Sequence, residues 1–216
     1  MRAVIFVNGE IADYDAAARW LLSDDNLVAA DGGARHLEAL GLLPDVIVGD
    51  LDSIDERLLA RFQKDGAAVE RHPVAKDATD LELAIARAVN DGATEILLVG
   101  ALGGRLDQTL ANLLILAQQN WNVPLAVAEG DQLARVLRGP QQLTLTGPTG
   151  GYVSAVALSE EVTGVTYQGL EYPLTNATLR LGSTRGVSNT LANSPAQISI
   201  DRGILLVIQQ FPLTSE

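Results

Sequence analysis

The first 130 residues of the chain alternate short, nearly continuous apolar runs with segments of helical periodicity. The predicted strands are 2–7, 27–30, 46–48, 68–71, 96–99 and 124–128, and the predicted helices are 15–22, 34–40, 56–63, 80–89 and 106–118. Strands that are apolar throughout are typical of parallel sheets covered by helices on both faces. The pattern therefore predicts a doubly wound, mostly parallel α/β sheet, in which ligands collect at the carboxyl ends of the strands.

The pattern changes after about Gly139. Short alternating runs such as QQLTLTG, GYVSAVAL and GILLVIQQF follow one another at spacings of roughly ten residues, without a helical segment between them. Alternation of this kind is typical of an antiparallel sandwich or a small barrel. We therefore predict an α/β domain over residues 1–135 and a smaller all-β sandwich domain over residues 140–216.

Composition and charge narrow the possible functions. The 216 residues carry a formal net charge of -12 and no cysteine, which excludes disulfides, thiolate zinc sites and cysteine nucleophiles. Coating a nucleic acid needs clustered Lys and Arg, so we expect no nucleic-acid partner. The longest apolar runs fall short of a membrane span, and the first apolar run is too short for a signal peptide. We therefore expect no membrane partner and a cytoplasmic location.

Two aspartates separated by one residue follow the third predicted strand, in the sequence GDLDS. In an extended segment, residues i and i+2 point to the same face, so Asp50 and Asp52 would lie side by side. A divalent cation would offset the repulsion between their carboxylates, and hard oxygen ligands suit Mg²⁺. The alternative is a polar turn in which both aspartates face water.

The sequence DGGAR follows the second predicted strand. Gly32 and Gly33 would let the backbone approach a ligand closely, and Asp31 would face the crevice at the end of the sheet. The alternative is a tight turn from strand to helix, in which Asp31 caps the helix.

The sequence KDATDLE precedes and opens the predicted helix 80–89. Asp80 adds another carboxylate at the same edge of the sheet, and Lys76 is one of the two lysines of the chain. A lysine at this edge would bind phosphate as a point charge. The alternative is a capping box, because Thr79 and Glu82 have the required spacing.

The sequence GALGGRLDQTLAN follows the fifth predicted strand. Gly103 and Gly104 give a flexible loop, and Arg105 lies at the start of a predicted helix, a combination that suits a polyphosphate. The segment is neither a dinucleotide-binding fingerprint nor a Walker A loop, and Asp107 can also serve to complement the helix dipole. Acids at the ends of several strands, together with Arg105 and Lys76, indicate a metal-assisted phosphoryl-type transfer site.

In this order and spacing, DGGA, GDLDS, KDATDLE and GALGGRLDQTLAN resemble the signature motifs of the thiamine pyrophosphokinase family. GSTRGVSN, residues 182–189, resembles the thiamine-contacting segment of that family, so the resemblance covers nearly the whole chain. It implies an enzyme that transfers the pyrophosphoryl group of ATP to the hydroxyl of thiamine with Mg²⁺, giving thiamine diphosphate and AMP. It also implies an α/β domain followed by a β-sandwich, and a homodimer with its sites between subunits.

The resemblance also implies which residues form the site. The metal ligands would be Asp50, Asp52 and Asp80. The residues around ATP would be Asp31, Gly32, Lys76, Thr79, Gly103, Gly104 and Arg105. The catalytic residues would be Asp50, Asp52, Asp80, Arg105 and Asp107, with Asp80 or Asp107 accepting the hydroxyl proton. Thiamine would contact Ser188 and Asn189.

One position departs from the family pattern. The family usually has Asp-His where this chain has Asp107-Gln108. Glutamine forms hydrogen bonds but does not titrate, so it cannot replace that histidine as a proton carrier. The family also suggests an aromatic residue stacked on thiamine, which the sequence does not assign to a particular Tyr or Trp.

Two other functions fit parts of the sequence. A magnesium-dependent nucleotide hydrolase would use the same aspartates but would leave GSTRGVSN and the β-rich half without a role. A non-catalytic nucleotide or vitamin sensor would have no need for so many mutually repelling carboxylates. A hydrolytic triad is not indicated, because His36 and His72 have no evident Ser or Asp partner in the sequence.

Overall fold

The computed structural model describes residues 1–75, 77–118 and 121–211. The chain divides into two compact units, Met1–Gly130 and Asp131–Glu216. The domain limits expected from the sequence, 1–135 and 140–216, stay predictions. In the part of the chain that the structure describes, none of the helices has the length and apolar content to cross a membrane.

The first unit alternates strands with helices. Its strands are β1 (Arg2–Phe6), β2 (Asn26–Ala30), β3 (Val46–Gly49), β4 (Ala68–Arg71), β5 (Glu95–Val99) and β6 (Leu125–Glu129). Its helices are α1 (Tyr14–Ala18), α2 (Ala34–Ala39), α3 (Glu56–Asp65), α4 (Asp80–Asn90) and α5 (Leu106–Leu114). Short 3₁₀ turns occur at Asp31–Gly33 and Ile115–Ala117.

These strands form a parallel sheet in the order β6-β5-β1-β2-β3-β4. In the central strand, Ile5 pairs with Val28 of β2 on one side and with Leu98 of β5 on the other. All three residues are fully buried, and burial of each such side chain stabilises the fold by about 1.5–3 kcal/mol. The strand order reverses at β1, and the crevice at such a reversal is where open α/β sheets bind ligands.

Local capping sets the limits of helix α3. The Asp55 side chain accepts hydrogen bonds from the backbone N–H groups of Arg57 and Leu58, at 3.0 and 3.1 Å. Gly66 ends the helix with a left-handed φ of 115°. Side-chain oxygens at the first residue and glycine after the last one satisfy backbone groups that have no partner within the helix.

Helix α1 is shorter than the predicted segment 15–22, because tertiary contacts end it at Ala18. The Arg2 guanidinium donates to the Trp20 carbonyl oxygen and to the Asp25 carboxylate, both at 2.7 Å. The Leu22 N–H donates to the same carboxylate at 2.7 Å. These hydrogen bonds hold residues 20–25 in turns, and the hydrophobic pattern contains no sign of them.

The second unit is all-β over the residues described. Its strands are β7 (Gln132–Arg138), β8 (Gln141–Leu145), β9 (Tyr152–Ala157), β10 (Glu161–Gln168), β11 (Ala177–Arg180), β12 (Asn189–Thr190), β13 (Ala196–Ile200) and β14 (Ile204–Gln210). One antiparallel sheet has the order β12-β9-β14-β7 and the other β11-β10-β13-β8. Alternate residues of both sheets, including Val165, Ile198 and Leu205, form one apolar core. The predicted fold class, a doubly wound sheet followed by a smaller all-β sandwich, is confirmed.

Candidate active site

A cavity of about 540 Å³ lies at the carboxyl ends of β1, β2, β3 and β5. Its polar lining consists of Asn8, Gly9, Glu10, Asp31, Arg35, Asp50, Asp52, Ser53, Thr79, Asp80, Gly103, Gly104, Arg105, Gln108 and Asn112. Most residues predicted for the ATP and metal site are therefore in one cavity. Gly32 and Asp107 are not in its lining, and Lys76 lies outside the described residues.

Three carboxylates form a cluster at one side of this cavity. Asp31, Asp50 and Asp52 each offer one oxygen, and these oxygens all lie within 4.8 Å of one another. Asp31 is 5% exposed, and its Oδ1 is buried without a hydrogen-bond partner. A set of hard oxygen donors with one buried oxygen left unpaired fits Mg²⁺. The structure thus groups Asp31 with the two aspartates of GDLDS.

Asp80, the third predicted metal ligand, lies close to this cluster without being part of it. It is the first residue of α4 and lines the same cavity. Its Oδ1 packs against the backbone of Gly49, 3.0 Å from the point where a Cβ on that glycine would lie. Asp80 is therefore next to the end of β3, and its role as a metal ligand stays a prediction.

The two aspartates of GDLDS are brought together by a turn and not by an extended strand. Strand β3 ends at Gly49, and Leu51 has a left-handed φ of 67°. The backbone N–H of Asp52 donates to Asp50 Oδ1 at 3.3 Å, and the Ser53 hydroxyl donates to Asp52 Oδ1 at 2.9 Å. The two carboxylates lie close together and line the cavity, as expected, but the expected cause, alternation along an extended strand, was wrong.

Burial raises the pKa of Asp31. The negative charges of Asp80 and Asp50 raise it further, while the nearby Ser53 hydroxyl and Gly32 N–H act in the opposite direction. Removing a carboxylate from water and placing it beside like charges both disfavour its ionised form. A bound cation reverses this effect, so the electrostatics of the cluster favour occupation by positive charge.

The paired glycines of DGGAR are explained by close packing. A Cβ on Gly33 would collide with the carbonyl oxygen of Phe6, and one on Gly32 would lie 2.6 Å from the Asn8 side chain. The turn between β2 and α2 therefore packs directly on β1, as the tight-turn alternative requires. Asp31 does not cap α2, because the helix begins without a side-chain capping bond.

Helix α4 begins at the cavity with a capped N-terminus. The Thr79 hydroxyl oxygen accepts a hydrogen bond from the Glu82 N–H at 3.2 Å, and Thr79 also lines the cavity. Thr79 therefore caps the helix and also lies in the site. The other half of the expected capping box is not shown, because the Glu82 carboxylate accepts from Gln118 Nε2 at 3.1 Å. The N-terminal end of a helix dipole favours negative charge nearby, which suits a phosphate.

Arg105 and Asp107 form an ion pair at the start of α5. The Arg105 Nη2 atom lies 2.6 Å from Asp107 Oδ2, and both side chains are largely exposed. Hydrogen bonding to Arg105 lowers the pKa of Asp107, and the Gln108 N–H, which donates at 3.0 Å, adds to the effect. Gln108 lines the cavity whereas Asp107 does not, so Asp107 serves here as the partner of Arg105.

The sequence did not single out five polar side chains of the lining, or the backbone of Gly9. The five are Asn8, Glu10, Arg35, Ser53 and Asn112. Asn8 follows β1, and the rule that ligands meet strand ends applies to it as it does to Asp31 and Asp50. Arg35 belongs to the quoted motif DGGAR, but its contact with Asn8 depends on the fold. The sequence therefore contained enough information to identify Asn8 as a site residue, but not Arg35.

Neither histidine forms a hydrolytic triad. His36 is buried, and its ring nitrogens bond to the Tyr14 hydroxyl at 2.8 Å and to the Gly9 carbonyl oxygen at 3.0 Å. His72 Nε2 lies 2.8 Å from Glu70 Oε1, next to the pair that Glu70 forms with Arg87. The partners of the two histidines are thus a tyrosine hydroxyl and a backbone carbonyl for His36, and a glutamate for His72.

In the second unit, Asn189 is buried and its side-chain amide is paired with backbone. Its Oδ1 accepts from the Tyr172 N–H at 3.0 Å, and its Nδ2 donates to the Tyr172 carbonyl oxygen at 2.8 Å. Ser188 has a left-handed φ of 62°, and its N–H donates to the Ser154 hydroxyl at 3.1 Å. The Tyr172 side chain is 67% exposed. A residue other than Gly at positive φ is uncommon and marks a constrained loop.

Family models match both units of the chain. The model described as "Thiamin pyrophosphokinase, catalytic domain" matches residues 18–126, and the one described as "Thiamin pyrophosphokinase, vitamin B1 binding domain" matches residues 139–205. The thiamine pyrophosphokinase of Bacillus subtilis (strain 168) is 30% identical over 183 residues, which is 84% of this chain and 86% of that protein. Thiamine pyrophosphokinase 1 of Arabidopsis thaliana is 28% identical over 208 residues, covering 84% of this chain and 76% of that one.

Solved structures show the same likeness along almost the whole chain. The crystal structure of the Bacillus subtilis thiamine pyrophosphokinase superposes with a TM-score of 0.85 at 27% identity, covering 99% of this chain and 100% of that one. The thiamin pyrophosphokinase of Geobacillus thermodenitrificans gives a TM-score of 0.85 at 30% identity, covering 99% of each chain. The chain therefore belongs to the thiamine pyrophosphokinase family and is an enzyme of the thiamine diphosphokinase class.

Proposed function

We propose that this enzyme transfers the pyrophosphoryl group of ATP to the hydroxyl of thiamine, producing thiamine diphosphate and AMP. The observation that carries the proposal is the cluster of Asp31, Asp50 and Asp52, whose carboxylate oxygens lie within 4.8 Å of one another in the cavity. Arginine side chains and a helix N-terminus line the same cavity. Such a site combines a cation-binding group with donors for a polyphosphate.

Magnesium is the cation that the donor set suits, and Asp31, Asp50 and Asp52 would hold it. When bound, the ion would neutralise charge on the phosphates of ATP. The buried Oδ1 of Asp31, which has no hydrogen-bond partner, supports this proposal. Without a bound cation, the free-energy cost of burying that oxygen would not be compensated. We also retain the prediction that Asp80 is a metal ligand beside this cluster, since Asp80 lines the same cavity.

The chain's own residues would orient ATP and stabilise charge. Arg105 lines the cavity at the start of α5, and Gly103 and Gly104 precede it in a loop with left-handed backbone at both glycines. A guanidinium fork and loop N–H groups both suit phosphate oxygens. Lys76, which precedes α4 in the sequence, is proposed to add a second cation.

Of the two candidate acceptors for the thiamine proton, Asp80 is the better placed. Asp80 lines the cavity, whereas the Asp107 carboxylate is outside the lining and pairs with Arg105. The lowered pKa of Asp107 also makes it a weaker base. We therefore propose that Asp80 accepts the hydroxyl proton as the thiamine oxygen attacks the β-phosphorus in line with departing AMP.

For the thiamine end of the reaction, we propose Tyr172 as the aromatic contact, with Ser188 beside it. Tyr172 is exposed, and its backbone is fixed on both sides by the amide of Asn189. Asn189 would then act by holding Tyr172 in place. An aromatic ring with a fixed backbone presents a face to a cationic heterocycle at low entropic cost.

We also propose the homodimer and the cytoplasmic location expected from the sequence. The dimer is supported by the face of α5, where Leu106, Leu110 and Leu114 are 82%, 56% and 45% exposed. Residues four apart lie on one face of a helix, so these leucines form an apolar stripe. We propose that a second copy of this chain covers this apolar stripe. Helix α5 also carries Gln108, which lines the cavity, and this agrees with the expected site between subunits.

The test is to incubate the purified protein with ATP, thiamine and Mg²⁺ and to separate the nucleotide products by chromatography. AMP and thiamine diphosphate should appear together, and only when thiamine is present. Formation of ADP or phosphate without any need for thiamine would instead indicate a nucleotide hydrolase. Saturable binding without turnover would indicate a sensor.

A further inference from the structure

The carbonyl group of Gly9 accepts hydrogen bonds from two consecutive residues of helix α2. Arg35 Nη2 lies 2.5 Å from the Gly9 carbonyl oxygen, and His36 Nε2 lies 3.0 Å from the same oxygen. Arg35 also donates to the side-chain and backbone oxygens of Asn8. Asn8 and Gly9 line the cavity, so helix α2 holds one wall of the cavity through these two side chains.

The contacts of His36 place a proton on its Nε2 atom. A carbonyl oxygen only accepts, so Nε2 carries the proton that is donated to Gly9. The other nitrogen, Nδ1, then accepts from the Tyr14 hydroxyl at 2.8 Å. The side chain is 2% exposed, and burial, followed by the charge of Arg35, lowers the pKa of His36. The geometry therefore places a proton on Nε2, and the lowered pKa favours the neutral ring.

The same wall is joined to the glycine loop that follows β5. The Gly9 N–H donates to the Gly100 carbonyl oxygen, and the Glu10 N–H donates to that of Leu102, both at 2.8 Å. A side chain at Gly9 would collide with both of these carbonyl oxygens. The His36 ring packs against Gly100, 3.3 Å from the point where a Cβ would lie. His36 thus contacts both loops, and the second continues to Arg105.

We propose that His36 is a positioning residue for the polyphosphate of ATP. By holding Gly9, it fixes loop 8–10 against loop 100–105, and so sets the width of the cavity between them. The inference rests on the proposed function, because it assumes that ATP occupies this cavity. His36 does not act on the substrate itself, since its two ring nitrogens are used by Gly9 and Tyr14.

His36→Phe keeps an aromatic ring at this position and removes both hydrogen bonds. We expect the KM for ATP to rise roughly three- to tenfold, which is the effect of losing one or two net hydrogen bonds. The KM for thiamine and kcat should stay within about twofold, because loop 8–10 would be displaced without loss of any reacting group. His36→Gln retains a side-chain donor and an acceptor, and should bring the KM for ATP back towards the wild-type value.

Phe62→Leu is the matched control for lost stability. Phe62 is buried on α3 and does not line the cavity, so this variant should unfold more easily while the KM for ATP is unchanged. Tyr14→Phe is the second variant, which removes only the hydrogen bond to Nδ1. It should raise the KM for ATP by about two- to threefold, and it keeps the inference testable if His36→Phe does not fold.

Nitrogen-15 NMR of histidine-labelled protein gives a readout that does not depend on turnover. The chain has two histidines, and a His72→Gln variant assigns their signals. We expect His36 to be neutral with its proton on Nε2. A proton on Nδ1, or an unchanged KM for ATP in folded His36→Phe, would overturn the inference. A wild-type protein that does not bind MgATP would overturn the proposed function, and the inference with it.

Discussion

The backbone N–H of Asp52 donates to the carboxylate of Asp50 across a left-handed Leu51, and both side chains line the cavity. The Leu51 side chain is buried, so a core contact anchors the turn between the two aspartates. The sequence GDLDS thus encodes a fixed turn with a carboxylate on each side. Asp31 of the neighbouring strand end completes the cluster.

Replacement of either aspartate of this turn should abolish most of the activity. We expect Asp50→Asn and Asp52→Asn each to lower kcat by about 10²- to 10³-fold at fixed Mg²⁺, because each removes a charged ligand from the cluster. Initial rates of thiamine diphosphate formation measure the effect, and circular dichroism checks the fold. Asp65→Asn, at the exposed end of α3, is the control. A wild-type rate in either cluster variant would remove the metal site from the proposal.

Gln108→His should be tolerated. The position lines the cavity, and glutamine there already lacks a titrating group, so the reaction in this chain does not use a proton carrier at residue 108. We expect kcat and the KM for ATP to stay within about threefold of wild type. A loss of activity as large as that of Asp50→Asn would show that the position has been misinterpreted.

Thr79→Ala should lower stability by about 1 kcal/mol, because it removes the hydroxyl oxygen that caps α4. Thr79→Ser retains that oxygen and is the matched control. Urea unfolding of the three proteins measures the difference. Equal stability of Thr79→Ala and wild type would mean that the hydrogen bond to Glu82 does not contribute to the stability of the helix.

The pair of Arg2 and Asp25 predicts a pH dependence of stability. Burial acts to raise the pKa of Asp25, but hydrogen bonds from Arg2 and from the Leu22 N–H outweigh it, so the pKa is lowered. A carboxyl with a lowered pKa in the folded state stabilises the fold above its unfolded pKa of about 3.9. This contribution is lost as the pH falls through the folded pKa.

Asp25→Asn should therefore be less stable than wild type at pH 7, by about 2 kcal/mol, and should lose less stability on acidification. Thermal unfolding at pH 7 and at about pH 3 measures both effects. Glu38→Gln is the control, because it breaks the exposed pair with Arg61, which contributes at most about 1 kcal/mol. Identical acid sensitivity of Asp25→Asn and wild type would contradict the assignment.

Leu110→Glu tests the dimer surface on α5. The substitution places a charge at the centre of the exposed stripe, so we expect sedimentation velocity to show a shift from dimer to monomer. Leu43→Glu, at another exposed apolar position, is the control and should leave the assembly unchanged. A wild-type protein that sediments as a monomer would remove the proposed dimer.

The sequence was sufficient to predict the parallel sheet, because buried strands and amphipathic helices have different periodicities. It also placed Asp50 and Asp80 in one cavity, because Asp50 follows β3 and Asp80 opens the helix after the neighbouring strand β4. The geometry of GDLDS was not predictable in the same way, because a left-handed Leu51 leaves no sign in the composition. The contacts of Arg35 and His36 with Gly9 depend on how α2 packs, which is a tertiary property.

Phosphorus-31 NMR of the reaction mixture is the most direct test of pyrophosphoryl transfer. It follows the β- and γ-phosphorus atoms of ATP separately during turnover with thiamine and Mg²⁺. We expect both signals to move together into thiamine diphosphate while AMP accumulates in equal amount. Appearance of ADP with thiamine monophosphate, or release of inorganic phosphate in step with ATP loss, would contradict transfer of the pyrophosphoryl group.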